Sequence, residues 1–388
     1  MFAAGIFACL SVALAPAPIE IPFTLADDAI IVDATVNNRR VSLMFDTGFS
    51  GAVVLNSAIN VGKPDGQMTL RDFVGEFVAT TTKVSSLKLG AAELSGPDMQ
   101  VVQGGMSDLS LSYNTHTDGI LGYQPFVDHV LEINFENSKF VLHPKTLDIS
   151  TRTPDNQRTF LSRMLPRGRG SIDMEVVMPN NKKMVLSLDT GNAFYATTHK
   201  DVLERVEMWS PDRKPQFFKQ SFVASGAVDS WYKHMRDVKI YGIPVERSVW
   251  SIIDLPSSSA EGDGTIGFGF LKNFNIIIDY QRRRVWMENF TGTVQNELPG
   301  DIGLIAVMDP KTDRARIVYV SSDGPAYKAG IRRGDDLLSL DGAEVRDRSF
   351  RRLNKRLEGP VGSTVKLVVS RNGQLMRYEV ERAALAND

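Results

Sequence analysis

Leu43-Met44-Phe45-Asp46-Thr47-Gly48 and Leu186-Ser187-Leu188-Asp189-Thr190-Gly191 decide how this chain is read. Each is an apolar run ending in Asp-Thr-Gly, and the second aspartate follows the first by 143 positions. A second landmark keeps step: Asp118-Gly119-Ile120-Leu121-Gly122 recurs 145 positions later as Asp263-Gly264-Thr265-Ile266-Gly267. A third lies eleven residues beyond each closing glycine, as Ile133-Asn134-Phe135 and Ile278-Asp279-Tyr280. One Asp-Thr-Gly would mean little, but two in a matching frame are an internal repeat.

Outward from these landmarks each copy predicts an all-β unit. Ala29 to Val36 and Val41 to Phe45 flank the turn residues Asn37-Asn38, and Ile172 to Met178 and Met184 to Leu188 flank Pro179-Asn180-Asn181. Lys200 to Trp209 is the main helical signal before residue 300. Thr151 to Gly170, with Pro154, Pro166 and five arginines, predicts an exposed connector. The resulting organisation is a signal peptide at 1–15, a first repeat unit at 16–147, a connector at 148–170, a second unit at 171–290, a linker at 291–300 and a C-terminal module at 301–386.

Composition narrows the chemistry. With 44 basic and 46 acidic side chains in 388 residues the net charge is −2, which gives no global pull toward nucleic acid. One cysteine and five scattered histidines exclude a Cys-based zinc site and an HExxH motif, so neither metal nor cofactor is expected. Phe2 to Ala15 is uncharged, too short to span a bilayer, and ends in Ala13-Leu14-Ala15, which predicts export to the periplasm or beyond. Gly262 to Gly267 matches GxGxxG, but it follows a loop rather than a strand and is already explained as a repeat landmark. Arg282-Arg283-Arg284 predicts a solvated hairpin turn.

An aspartate at the end of an apolar strand, followed by a glycine that permits a sharp turn, is ordinary when single. Two from homologous halves can meet about a twofold axis, and like charges a few ångströms apart then share one proton. Such a pair can take a proton from water and give one to a carbonyl oxygen.

On these residues the chain resembles the aspartic peptidases of the pepsin and retropepsin type, over about residues 19 to 290. The resemblance implies a mainly β, two-lobed barrel fold with pseudo-twofold symmetry. It further implies an aspartic endopeptidase with Asp46 and Asp189 as the catalytic pair and Thr47, Gly48, Thr190 and Gly191 supporting their loops. Ile120-Leu121-Gly122 and Ile266-Gly267 would pack behind the loops, and Met68 to Thr80 would form a hairpin flap turning near Asp72 to Gly75. Phe49 and Asn192 stand where family members carry a hydroxyl that bonds the carboxylate, so the pair should hold its single proton nearer neutral pH. The other class left open is a catalytically inactive relative that holds extended chains.

Gly324-Pro325-Ala326 to Ile331, followed by Arg333-Gly334-Asp335 to Gly342, resembles the core of bacterial-type PDZ domains, which implies a small α+β module. Ile302-Gly303-Leu304 matches the loop that takes a peptide's C-terminal carboxylate in that family, although Asp301 replaces its first glycine. The implied partners are a polypeptide substrate and a C-terminal peptide at the PDZ loop.

Overall fold

The computed structural model describes residues 17–387, apart from 27, 72–75, 95, 97–98, 105–114, 167–170, 211–218, 224–225, 256, 258–261, 310 and 348. The expected signal peptide at 1–15 and the flap turn at 72–75 lie outside the described residues. The chain is mainly β, and its few helices are short.

The sequence repeat is also a repeat of strand pairing. Strand Arg39–Phe45 delivers Asp46 and runs parallel to the short landmark strand Gly119–Leu121, which pairs antiparallel with Val53–Asn56. In the second copy Lys183–Leu188 delivers Asp189, runs parallel to Gly264–Ile266, and that strand pairs antiparallel with Ala196–His199. The aspartates that open the two landmarks do the same work in each copy. Asp118 accepts from the Ser42 N–H at 2.8 Å, and Asp263 accepts from the Val185 N–H at 2.9 Å.

Glycine is required where these strands nearly touch. A Cβ on Gly119 would lie 1.9 Å from the Val54 carbonyl oxygen, and one on Gly264 would lie 2.1 Å from that of Thr197. The same holds at Gly122 and Gly267, where a Cβ would meet backbone oxygens at 2.2 and 2.3 Å.

A six-stranded sheet joins the two copies. The hairpin of Val130–Asn134 and Lys139–His143 meets the hairpin of Phe274–Asp279 and Arg284–Asn289 along an antiparallel seam running from Val130 opposite Asp279 to Ile133 opposite Ile276. Ile19–Pro22 closes one edge and Thr159–Arg163 the other. Phe45, Phe126 and Phe140 pack ring against ring beneath the first copy, inside one apolar core that extends through both. The PDZ-like module has its own core, built on Ile302, Leu304, Ile317, Leu337, Leu353 and Val365.

Three expectations are corrected here. The stretch 148–170 is not wholly a connector: Thr159–Arg163 is a sheet strand because Phe160 and Ser162 point inward and are buried. The arginine turn is not simply solvated. Arg282 bonds the Asp279 carboxylate and the Lys145 and Leu147 carbonyls, while Arg283 reaches the Leu165 carbonyl. The helix anticipated over Lys200 to Trp209 is shorter than its pattern, at Lys200–Arg205.

Gly119→Ala should cost about 3 kcal/mol or more, because the clash is with backbone that cannot rotate away. Gly90→Ala, at φ 56° with open space around it, should cost about 1 kcal/mol. Chemical denaturation of both variants checks this, and equal losses would refute the close-approach argument.

Candidate functional site

The two Asp-Thr-Gly loops meet at the junction of the copies and are locked there by their threonines. The Thr47 hydroxyl donates to the Leu188 carbonyl at 2.8 Å and accepts from the Thr190 N–H at 3.0 Å. The Thr190 hydroxyl donates to the Phe45 carbonyl at 2.9 Å and accepts from the Thr47 N–H at 3.1 Å. Both side chains are fully shielded from solvent. Behind the loops, the Asp46 N–H donates to the Leu121 carbonyl and the Asp189 N–H to the Ile266 carbonyl.

This lock brings the carboxyl groups of Asp46 and Asp189 into hydrogen-bond contact. The loop glycines let them approach: a Cβ on Gly48 would lie 2.8 Å from the Asp189 carboxyl carbon, and one on Gly191 would lie 2.4 Å from that of Asp46. The Gly48 N–H donates to Asp46 at 2.7 Å, and the Gly191 and Asn192 N–H groups donate to Asp189 at 2.9 and 3.1 Å.

Burial is the largest influence on both groups, and it raises both pKa values. For Asp189 the neighbouring Asp46 charge adds to the rise, so it stands well above the usual carboxylate range. The backbone donors offset part of this. The pair therefore holds one proton at a pH where free carboxyls have lost theirs, giving a donor and an acceptor at one place. The Asn192 side chain does not replace the missing hydroxyl donor, since its amide turns away to Thr197 and Thr265, and only the backbone N–H of Asn192 reaches Asp189. Phe49 packs instead beside Met44, Ile120 and Ala193.

The carboxylates lie in a cavity of about 830 Å³. Phe194, Tyr232 and Val249 come from the second copy, Leu298 from the linker, and Ile305 and Arg351 from the PDZ-like module. Arg351 pairs with Asp28 of the first copy, so that module is tied across the cavity. Lys219 also lines it. Burial lowers the pKa of that ammonium, but the nearby Asp301 and Glu358 carboxylates outweigh this and hold it above the usual lysine value. Among the described residues no cluster of His, Cys, Asp and Glu could hold a metal ion.

The sequence reading therefore placed Asp46, Thr47, Gly48, Asp189, Thr190 and Gly191 in one site, and the structure brings all six together. It does not bring Ile302, Gly303 and Leu304 to an open loop. Ile302 and Leu304 are buried in the module's core, and the Gly303 N–H is already taken by the Asp301 carboxylate. Sequence reasoning missed Lys219, which lies 82 positions from its partner Asp301, and Asn354, whose only signal is a polar residue inside an apolar helix pattern.

Comparison with known proteins assigns the C-terminal module. Residues 300–381 match the family described as PDZ domain, so this module is a PDZ domain. A relative from Staphylococcus haemolyticus (strain JCSC1435), "Probable CtpA-like serine protease", is 30% identical over 96 residues, which is 24% of this chain and 19% of its own. A protein of the same name from Staphylococcus saprophyticus is 27% identical over 93 residues, again 24% and 19%. The chain thus spans about a fifth of the length of these curated relatives. The crystal structure of the aspartic proteinase from Irpex lacteus is similar to 71% of this chain and 98% of its own, at 14% identity and a TM-score of 0.43, a likeness too slight to carry an argument.

These findings correct the expected activity. The matching curated relatives are named serine proteases, which overturns the reading of the chain as an aspartic endopeptidase. The geometry of the carboxylate pair stands apart from that reading.

Two outcomes test the site. Thr47→Val leaves the Thr190 N–H and the Leu188 carbonyl buried without partners, so it should cost about 2 to 5 kcal/mol in equilibrium unfolding, with Thr47→Ser much milder. A Thr47→Val loss below about 1 kcal/mol would show that the lock bears no weight. For the carboxylates, folding raises pKa values that are about 4 in the unfolded chain, so the unfolded state releases the proton first and stability falls as pH rises through the folded values. Asp189→Asn removes that penalty. Its melting temperature should exceed that of the parent at pH 8, by a margin that closes toward pH 4. A variant that melts lower at every pH would contradict the raised values.

Proposed function

We propose that this chain is a polypeptide-binding protein working in a proteolytic setting, and that the extended polypeptide lies in the cleft floored by Asp46 and Asp189. The observation that carries this is the pair itself, a proton donor and acceptor side by side in a cavity lined by both apolar and charged side chains. An amide offers a carbonyl and an N–H along the same line, whereas a purely apolar ligand would leave the buried pair unanswered. Phe194 and Tyr232 supply the flat apolar surface that side chains of an extended chain need. The relatives' name, protease, supports polypeptide as the ligand class, as does the PDZ domain, a module that recognises peptides by strand addition.

In this reading the two copies, 16–147 and 171–290, are lobes of one bilobal β-barrel arrangement with pseudo-twofold symmetry. Thr47, Gly48, Thr190 and Gly191 hold the floor of its cleft. The apolar run before residue 16 supports an extracytoplasmic setting, where unfolded chains are exposed to other proteins.

Fluorescence anisotropy with labelled twelve-residue extended peptides tests the proposal. Asp189→Leu, similar in size but unable to bond, should bind about tenfold more weakly, the worth of one strong hydrogen bond. Phe194→Ala should also weaken binding. Affinities unchanged in both variants would place the ligand elsewhere. An adduct with a fluorophosphonate probe, read by intact mass, would instead carry the serine-type activity of the relatives' name to this chain.

A further inference from the structure

A PDZ domain takes a peptide by two sets of contacts: backbone N–H groups of its hydrophobic-Gly-hydrophobic loop hold the terminal carboxylate, and the peptide backbone pairs with the free edge of the next strand. In this chain both places are occupied by its own side chains.

At the loop, one carboxylate oxygen of Asp301 accepts the Gly303 N–H at 2.6 Å, and the other accepts from the Lys219 ammonium at 2.7 Å. Asp301 is 1% exposed. Lys219 comes from Lys219–Val223, a strand of the second copy, so the anion is clamped between two parts of the chain. The backbone beside it is closed as well, because the Asp301 N–H and carbonyl pair with Ala383 at 2.9 and 3.0 Å.

At the strand, Leu304–Asp309 is the edge of the PDZ sheet. The Ala306 N–H donates to the Asn354 side-chain carbonyl at 3.0 Å, and the Ala306 carbonyl accepts from the Asn354 amide at 2.9 Å. A side-chain amide thus makes the pair of bonds that an added strand would make. Asn354 is anchored in turn by donating to the Phe350 carbonyl at 2.8 Å.

We infer that this PDZ domain is self-liganded, with Asp301 standing in for a terminal carboxylate and Asn354 for a ligand's backbone amide. It therefore meets internal stretches of polypeptide rather than free C-termini. The face it turns to the cleft is carried by Phe350, Arg351 and Lys355 of the helix beside the closed groove. This rests on the reading of the cleft as a polypeptide site.

The test uses the intact chain and one extended twelve-residue peptide made with a carboxylate or a carboxamide terminus. The two forms should bind within about twofold of each other, and a fivefold or greater preference for the carboxylate would overturn the inference. Asp301→Ala frees the Gly303 N–H and leaves the Lys219 ammonium beside it with Glu358 as its remaining carboxylate partner, so it should create a carboxylate preference of at least fivefold; a folded variant without one would also overturn it. Should that variant fail to fold, amide-resolved hydrogen exchange on the unaltered chain decides. Gly303 and Ala306 should exchange slowly, and exchange at the unprotected rate would refute the self-liganded groove. If neither peptide binds the unaltered chain, the cleft reading falls, while the exchange rates and the behaviour of Asp301→Ala still judge the groove.

Discussion

Two facing carboxyl groups withdrawn from water can be tolerated only if they hold a proton between them and if the surrounding backbone supplies donors for the remaining charge. The junction of the two copies is arranged around that demand. The Gly48, Gly191 and Asn192 N–H groups point at the carboxyl oxygens, and the loops that carry them are fixed by threonine hydroxyls reaching across to the opposite strand. No single half could supply this. Each threonine satisfies a backbone carbonyl of the other copy, so the position of each aspartate is a property of both.

The same economy explains the glycines. Where the landmark strands pass behind the loops, backbone lies against backbone with no room for a side chain, and this closeness brings each Asp-Thr-Gly turn to its place. Asn192 braces its own copy by joining Thr197 to Thr265, while Phe49 at the matching position packs on apolar neighbours. The two halves of the floor are alike in geometry but not in chemistry, a polar brace on one side and an aromatic one on the other.

Much of this was legible from sequence because it is written locally and twice. An apolar run into Asp-Thr-Gly, with a second landmark at a fixed distance, specifies strand, turn and partner strand within each copy, and repetition supplies the meeting of the two. What escaped was held by single contacts between distant residues. Thr159–Arg163 was hidden by the prolines and arginines around it, although Phe160 gives it an inward face. Asp301 reads from sequence as an unfavourable charge beside an anion-binding loop; only the arrival of Lys219, from another domain, turns it into that loop's occupant. The activity was the least legible of all, since a carboxylate pair states a capacity for proton transfer and not the use made of it, and the relatives' names correct the use.

The sheet shared by the copies has a consequence for how the chain comes to be folded. Val130–Asn134 finds its neighbour in Phe274–Asp279, and Thr159–Arg163 finds its own only in Arg284–Asn289. During synthesis from the N-terminus the first copy therefore emerges with an open strand edge that stays unpaired until more than a hundred further residues have appeared. Such an edge is a template for pairing with any other extended chain. Contacts of this span also make closure slow, because so long a loop must be ordered before the seam rewards it. A chain proposed to hold extended polypeptide in its cleft thus passes, while folding, through a state that offers extended polypeptide an unguarded edge.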